Sequence, residues 1–588
     1  MVPRVTRSFL IAGALVLACF AAPGVAAAAV GIDSYKITSD MPLGTTPTDG
    51  PSTTQAGANP SAGSWTTFTY PNATEDLETA LTNFAPGLLG NPESVPKCPQ
   101  ANLLTGGLTC PTGSQIGTSR LLAVVAGTQI PAANLPGRFY NAEPLGNEPG
   151  RLAAVTDTPF GPLVSSIPFE ITPRGGGDYG LTGTLTDISR LTSPPFAADL
   201  QVRGLGFVIN ADTKYVRNPT SCQFGISTGQ AHGYDDPTVV DGPPYGFATT
   251  GCSTVPFKPT TTLELGDAGN TAFNRHAPLK LTITQAPGSA DIKGNKVTLP
   301  VELNTNNPAY KLCTQAQADA DQCPANSQFG GAAAKSPFLR QEVKGPVYLI
   351  QQTNTSLPGL LIDLHGLVHV KIQTKTTLVN NKAIQSLVLN SPQLPISEFR
   401  IGLNGGKNGV FLNRQDLCFK GSSTSKFNDV SGLIKDYGHN GTTTAEAKLK
   451  AKVNGCGPGV SGKISSATSS RPSVRLNVDK HPDAPNFKEL TVTLGDNLSL
   501  VKSRVGSGGS ASAGDVEYVS KRSFKVTGLP AAGENDVTIL LHRGAVKVST
   551  RSRDLMRRGK TRTFHAKVKQ TPVTGAAAST KASFKGKR

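Results

Sequence analysis

The chain has 588 residues, of which 37% are hydrophobic, 16% are charged and 6% are aromatic. Its 63 glycines and 44 prolines favour many turns, and the low charge excludes a coiled coil or a highly charged helical protein. The length predicts about three or four domains. The net charge of +17 is concentrated near the C-terminus, so it does not describe the whole chain.

The N-terminus has the pattern of an export signal. Two arginines precede an apolar run from Phe9 to Phe20, and the small residues Ala26–Ala29 suit a signal peptidase. We expect residues 1–29 to be removed and the mature chain to be extracellular or at the cell surface. A retained anchor and a lipid on Cys19 are the alternatives. The apolar run is short for a membrane span, and no later segment is apolar enough to form one.

Eight cysteines follow this leader, an even number that favours disulfides in an exported chain. They form two sets of four with the same order of short, long and medium gaps. Neither set has the C-x₂-C spacing of a zinc site. A rival pairing joins the ends of each set, Cys98 to Cys252 and Cys313 to Cys456. The simplest pairing is local: Cys98–Cys110, Cys222–Cys252, Cys313–Cys323 and Cys418–Cys456.

A motif recurs at the second cysteine of each set. Residues 110–117 read Cys-Pro-Thr-Gly-Ser-Gln-Ile-Gly and residues 323–330 read Cys-Pro-Ala-Asn-Ser-Gln-Phe-Gly, so five of eight positions are identical. Each set ends in Gly-Cys. The repeat predicts a first module at residues 30–257, a second module at 258–462, and a third, partial and basic module at 463–588.

The motif, the paired cysteines and a Pro-Gly-Leu-Leu-Gly-Asn-Pro run at 86–92 together resemble a group of bacterial secreted repeat proteins. The resemblance covers about residues 60–460. It implies secretion and internal repetition. No activity is assigned to that group, so the resemblance implies no chemistry.

Apolar and polar residues alternate in many short segments, among them 279–284 and 474–479. This period of two predicts strands with one buried face. The fold class we expect is all-β, with tandem antiparallel β-sandwich-like domains, internal repeats and few short helices. Candidate helices are residues 76–89 and 314–322. Residues 38–63, rich in Thr, Pro, Gly and Ser, are predicted to be flexible.

The positive charge lies in the third module, where residues 537–588 hold 14 Lys and Arg and one acid, Asp554. Such a surface attracts anionic polymers or glycans of the cell envelope in a salt-dependent way. The alternative is a solvated face whose lysines protect an edge strand. Nucleic acid is a poor partner for an exported chain without an aromatic–basic motif. The expected anion-binding residues, the first six in a predicted turn, are Arg551, Arg553, Arg557, Arg558, Lys560, Arg562, Lys567 and Lys569.

Two motifs were tested for chemistry. Residues 225–229 fit G-x-S-x-G, but no helical pattern follows Ser227, as a nucleophile elbow requires. Asp363, His365 and His369 form D-x-H-x₃-H, which on a strand could bind a metal. Because three such residues are common on a solvent face, we expect neither a metal nor a catalytic residue here.

The loop between Cys222 and Cys252 is a further candidate. Its aspartates fit no calcium-binding spacing, while its tyrosines could contact a ligand. We therefore expect no cofactor. The function we expect is that of a secreted, non-enzymatic structural or adhesive protein of the cell envelope or extracellular matrix. The alternative is a secreted glycan- or peptide-binding module that uses the cysteine-bounded loops. The loop residues in question are Tyr234, Asp235, Asp236, Asp241 and Tyr245.

Overall fold

The computed structural model describes residues 29–72, 74–125, 133–158, 161–173, 179–188, 200–305, 310–353, 357–380, 382–388, 390–421, 423–532 and 535–587. The predicted leader therefore lies outside the described residues, apart from residue 29. The described chain is all-β, as expected: it has 39 strands and four short helices. No helix within these ranges is long and apolar enough to cross a membrane.

Fourteen strands occupy the first module: β1 Gly31–Thr38, β2 Ala62–Thr69, β3 Leu77–Asn83, β4 Leu89–Gly90, β5 Gln115–Val125, β6 Ala133–Ala142, β7 Gly150–Thr158, β8 Gly161–Pro173, β9 Tyr179–Leu185, β10 Leu200–Ile209, β11 Val216–Arg217, β12 Phe224–Gly233, β13 Val240–Asp241 and β14 Tyr245–Ala248. One twelve-stranded antiparallel sheet runs in the order β1-β2-β10-β5-β6-β7-β8-β9-β3-β12-β13, and β14 pairs with β12. The sheet curves so that its two ends approach each other. This is shown by Tyr35 of β1, which packs on Gly229 of β12.

Fourteen more strands occupy the second module: β15 Thr260–Leu265, β16 Leu279–Thr284, β17 Ile292–Thr298, β18 Leu303–Thr305, β19 Gln328–Lys335, β20 Val343–Ile350, β21 Gly359–Leu364, β22 Val370–Gln373, β23 Lys375–Val379, β24 Ala383–Val388, β25 Glu398–Leu403, β26 Phe411–Asn413, β27 Ser431–Gly438 and β28 Ala447–Val453. Their sheet order is β22-β21-β20-β19-β25-β16-β15-β28-β27-β17-β24-β23. Within it β15 pairs with β28 in parallel, while the other neighbours are antiparallel.

The third module is a sandwich of two sheets around one core, which includes the fully buried Phe487, Phe524 and Phe564. Its strands are β29 Gly459–Ser465, β30 Ser473–Asp479, β31 Phe487–Leu494, β32 Leu498–Leu500, β33 Gly509–Ala511, β34 Asp515–Ser520, β35 Ser523–Thr527, β36 Val537–Leu541, β37 Val546–Val548, β38 Arg562–Pro572 and β39 Ala578–Gly586. The sheets have the orders β29-β30-β36-β33 and β34-β35-β31-β38-β39.

The four helices are α1 Gln100–Leu104, α2 Gln315–Asp319, α3 Lys502–Gly508 and α4 Thr550–Arg557. The helix predicted at 314–322 is confirmed, and the side chain of Thr314 caps it. The helix predicted at 76–89 is wrong. Residues 77–83 form β3 because they pair on both sides, with β9 and β12, inside the first sheet. The flexibility of residues 38–63 and the module boundaries stay predictions.

All four local disulfides are present, with Cα–Cα distances of 5.0, 5.8, 5.1 and 5.5 Å in chain order. The rival end-to-end pairing is therefore wrong. In the first and second modules the first cysteine is fully buried and forms a parallel bridge to the end of a strand, Cys98 to Ala142 and Cys313 to Ile350. The disulfides thus fix a short loop against the sheet at equivalent places.

The repeated motif has the same hydrogen bonds in both modules. The hydroxyl of Ser114 donates to the carbonyl of Pro111 at 2.7 Å, and that of Ser327 donates to Pro324 at 2.6 Å. Both serines are fully buried. The motif therefore specifies a closed turn behind each disulfide rather than a surface for a ligand.

The first and second modules are joined by a buried ion pair. Arg217 Nη1 lies 2.9 Å from Asp291 Oδ1, and Arg217 Nη2 donates to the carbonyl of Ser289 at 3.0 Å. Thr220 also contacts the second carboxylate oxygen, at 3.4 Å. The side chains of Arg217 and Asp291 are only 9% and 1% exposed. Removal of either partner therefore leaves the other as a buried, unpaired charge.

Replacement of Asp291 by alanine should lower the free energy of unfolding by about 3–5 kcal/mol, because Arg217 then stays buried without its carboxylate. The matched control is Asp429→Ala, which breaks the exposed pair with Lys448 and should cost less than about 1 kcal/mol. Urea unfolding of both variants measures the difference. Equal costs would contradict a coupling role for the buried pair.

Burial raises the pKa of Asp436, on β27, to about 6. A folded pKa above the unfolded one means that the native state binds the extra proton, so the contribution to stability is present at low pH and is lost as the pH rises through about 6. Asp436→Asn should therefore be more stable than the wild type at alkaline pH by about 2–3 kcal/mol, since Asp436 is buried and its ionised carboxyl is poorly solvated.

Urea midpoints measured across the acid and neutral range check this expectation, and the gain should vanish at acid pH. Asp429→Asn is the control of opposite sign. The hydrogen bond from Lys448 lowers the pKa of Asp429, so this variant should lose stability at neutral pH. A stability gain that is independent of pH would contradict the assignment to Asp436.

Candidate functional site: a cationic face on the C-terminal sheet

The last two strands place lysines on one face of the five-stranded sheet. Along β38 the residues alternate between buried and exposed, and Lys567 and Lys569 are exposed on either side of buried Val568. Along β39 the same alternation exposes Lys581 and Lys585. We call these four side chains the lysine face.

Lys567 lies directly opposite Lys581 in the register of the two strands. Like charges at directly opposite positions repel and destabilise a sheet. Neither β38 nor β39 contains an acidic residue, and within the described chain no carboxylate forms an ion pair with the lysine face. The contrast is Lys525 on β35, which pairs with Glu489 at 2.9 Å. The lysine face therefore carries uncompensated positive charge.

The predicted arginines lie elsewhere. The structure places Arg551, Arg553 and Arg557 on α4 and Arg558 at its C-cap, so the predicted turn is wrong there. The side chain of Ser549 caps this helix, and the burial of Met556 fixes it to the core of the sandwich. Lys560 lies in the connection to β38, which begins at Arg562.

The eight predicted anion-binding residues thus separate into two groups: five lie on α4 or in the connection that follows it, and three, Arg562, Lys567 and Lys569, lie on β38. Lys581 and Lys585 are not among the eight predicted residues, and they join Lys567 and Lys569 because residues 578–586 form β39. The signal that identifies the strand is the alternation of Ala578, Thr580, Ala582 and Phe584 with polar residues. Asp554, the one acid in residues 537–588, lies 3.8 Å from Arg557.

The G-x-S-x-G segment lies inside strand β12 and has no elbow geometry. Ser227 is fully buried, and its hydroxyl accepts a hydrogen bond from the backbone N–H of Ala85 at 2.9 Å. A nucleophilic serine must be exposed on a sharp turn between a strand and a helix. Ser227 is therefore a structural residue.

The loop closed by Cys222 and Cys252 does not gather its polar side chains at one point. The hydroxyl of Tyr234 donates to the carbonyl of Ile188 at 3.1 Å, and Asp241 accepts from Gln230 at 2.7 Å. Tyr245 is half-buried, and burial raises its pKa. The backbone N–H of Asp235 donates to Glu75, outside the loop, at 3.1 Å, whereas the carboxylate of Asp236 accepts from the backbone N–H of Thr238 at 3.0 Å.

An apolar cleft lies between the first and second modules, with about 1250 Å³ of unfilled space that includes its opening to solvent. Aromatic residues of both modules line it, among them Phe84, Phe169, Phe338 and Phe399. The Pro-Gly-Leu-Leu-Gly-Asn-Pro run contributes Leu88, Leu89, Gly90 and Pro92 to its wall, but the rest of the wall comes from segments distant in sequence. Asp363, His365 and His369 lie nearby, around the connection between β21 and β22, and their side chains meet.

No family model and no curated protein matches this chain. Among solved structures, a structure of the Enterococcus faecalis MSCRAMM ACE, which binds its ligands by the collagen hug model, aligns over 57% of this chain and 95% of that one. The identity is 9% and the TM-score 0.16. The B domain of a biofilm associated protein aligns over 55% and 85%, with 8% identity and a TM-score of 0.15.

Replacement of Lys581 by glutamate should stabilise the third module by about 0.5–1 kcal/mol at low salt, because a repulsive pair with Lys567 becomes attractive. Added salt should shrink the gain by screening both interactions. Lys525→Glu is the matched control, since it places a like charge beside Glu489 and should destabilise the same sheet. Thermal unfolding at two salt concentrations tests both. A loss of stability in Lys581→Glu at low salt would refute cross-strand repulsion.

Proposed function

We propose that this chain is a secreted, non-enzymatic structural or adhesive protein of the cell envelope or extracellular matrix. Its basic third module binds anionic polymers there. The observation that carries the proposal is the lysine face, where Lys567 and Lys581 oppose each other without a neutralising acid.

The scaffold supports an extracellular role. Four disulfides fix loops in the first and second modules, and such bonds form and persist in oxidising compartments. Neither the G-x-S-x-G segment nor the Cys222–Cys252 loop gathers groups for catalysis in the described structure. The charge, by contrast, is exposed on a rigid sheet.

The spacing of the lysines favours a repeating polymer over a single small anion. Alternate residues on a strand are about 7 Å apart, and neighbouring strands are about 5 Å apart. The lysine face is thus a regular array of point charges along two paired strands. A chain of phosphates or carboxylates can contact several of these charges at once and release its counterions, which gives affinity without a shaped site.

The test uses the full chain and two triple variants of equal charge. Lys567→Gln, Lys569→Gln and Lys581→Gln remove three of the four charges of the lysine face. Lys448→Gln, Lys450→Gln and Lys452→Gln neutralise a control row on β28, where Lys448 is paired with Asp429. The probes are long-chain polyphosphate and polygalacturonate, with neutral dextran as the blank.

The variant of the lysine face should lose about tenfold or more in affinity at low salt, and its affinity should depend less steeply on salt than that of the wild type. The control variant should stay close to the wild type. Equal losses in both variants would show that only net charge matters and would overturn the assigned face.

The alternative function, glycan or peptide binding by the cysteine-bounded loops, predicts a different result. Binding would then persist at high salt and would fall in Tyr245→Ala while the lysine variants remain unaffected. One observation favours keeping this alternative: Phe224 and Ile226, on the strand that pairs with β14, are 68% and 49% exposed.

A further inference from the structure

The connection between β21 and β22 holds two histidines in place. Asp363 lies near the end of β21, and the backbone of His365 exchanges two hydrogen bonds of 3.0 Å with Lys344. Leu367 and Val368 are buried in the connection and anchor it to the core. His369 follows directly and precedes β22. The histidine side chains are therefore directed by a fixed backbone.

The three side chains converge on one point. Nε2 of His369 lies 2.6 Å from Oδ1 of Asp363, and Nε2 of His365 lies 3.1 Å from Oδ2 of the same carboxylate. The imidazole rings stack with their centroids 4.2 Å apart and an interplanar angle of 20°. The carboxylate is almost buried, at 9% exposure, whereas the histidines are 51% and 40% exposed. The cluster is thus open to solvent on the histidine side only.

A second carboxylate adds negative charge beside the cluster. Asp321 lies 3.9 Å from Nε2 of His369 and forms an ion pair of 2.6 Å with Lys371. It belongs to the loop closed by the Cys313–Cys323 disulfide, which holds that loop against the sheet. Lys371 also donates to the carbonyl of Ala318 in α2 at 2.7 Å.

We propose that Asp363, His365 and His369 bind a divalent transition-metal ion of the zinc type. One ligand atom from each residue lies within 4.8 Å of the others. The ligand atoms of a tetrahedral zinc site, about 2.1 Å from the metal, are about 3.4 Å apart, so small side-chain rotations suffice. Two imidazoles with one carboxylate favour zinc and similar ions over calcium, which needs six to eight oxygen ligands.

The metal would stabilise an edge of the second sheet. β22 is its terminal strand, and the backbone N–H of Lys371 in that strand donates to the hydroxyl of Tyr179 in the first module at 2.9 Å. An ion held by residues on both sides of the β21–β22 connection closes that hairpin. Because ligand binding to the folded state raises its stability, zinc should raise the unfolding temperature. This inference does not depend on the lysine face.

Calorimetric titration of the full chain with zinc chloride tests the proposal. We expect one zinc ion to bind per chain. Co²⁺ bound at the same site should give the visible absorption of a tetrahedral complex. In the double variant His365→Gln, His369→Gln the affinity should fall on the order of a hundredfold, and the zinc-dependent rise in unfolding temperature should disappear. The matched control is His232→Gln, which removes a single histidine that lies 3.4 Å from Glu78.

Asp363→Asn provides an independent check in case the double variant folds poorly, and circular dichroism establishes that each variant keeps its strands. Unchanged zinc affinity in the double variant, or an equal loss in His232→Gln, would overturn the site. Calcium that competes with zinc at similar concentration would also overturn it.

Discussion

The alternation of side chains along paired strands determines which residues this chain buries and which it exposes. Each strand must bury every second residue to form a core, and this leaves the intervening positions free to carry charge. In the third module the buried Phe564, Ala566 and Val568 fix where Lys567 and Lys569 emerge. The same constraint puts Asp363 and His365, two residues apart, on one side of the chain. The cationic face and the histidine cluster are both consequences of core burial.

Much of the fold could be predicted from local patterns. The regular alternation of segments 279–284 and 474–479 correctly predicts strands there. The gaps that both sets of cysteines repeat correctly predict the local disulfides. Residues 77–83 were misassigned because their helical pattern is short, and pairing on both sides overrides such a weak preference. The sequence of α4 has no strong apolar stripe, because only Ser552 and Met556 of this helix are buried. Its pattern therefore did not predict a helix.

The candidate sites were only partly predictable. Alternation alone places Lys567 and Lys569 on one face, but Lys581 joins them only through the register of β38 and β39. Likewise, D-x-H spacing puts Asp363 and His365 side by side, whereas His369 reaches the same carboxylate across a turn of the chain. Such juxtapositions depend on which strands pair, and a single sequence does not contain that information in its local pattern.

The parallel pairing of β15 with β28 also affects how the chain matures. The second sheet joins residues near 263 to residues near 451, so β15 has an unsatisfied hydrogen-bonding edge until almost the whole module has been synthesised. Contacts between residues so distant in sequence form slowly, and an open edge is prone to pair with other chains. Correct folding therefore requires that closure of this sheet outpace intermolecular association, and crowding of incompletely folded chains works against it.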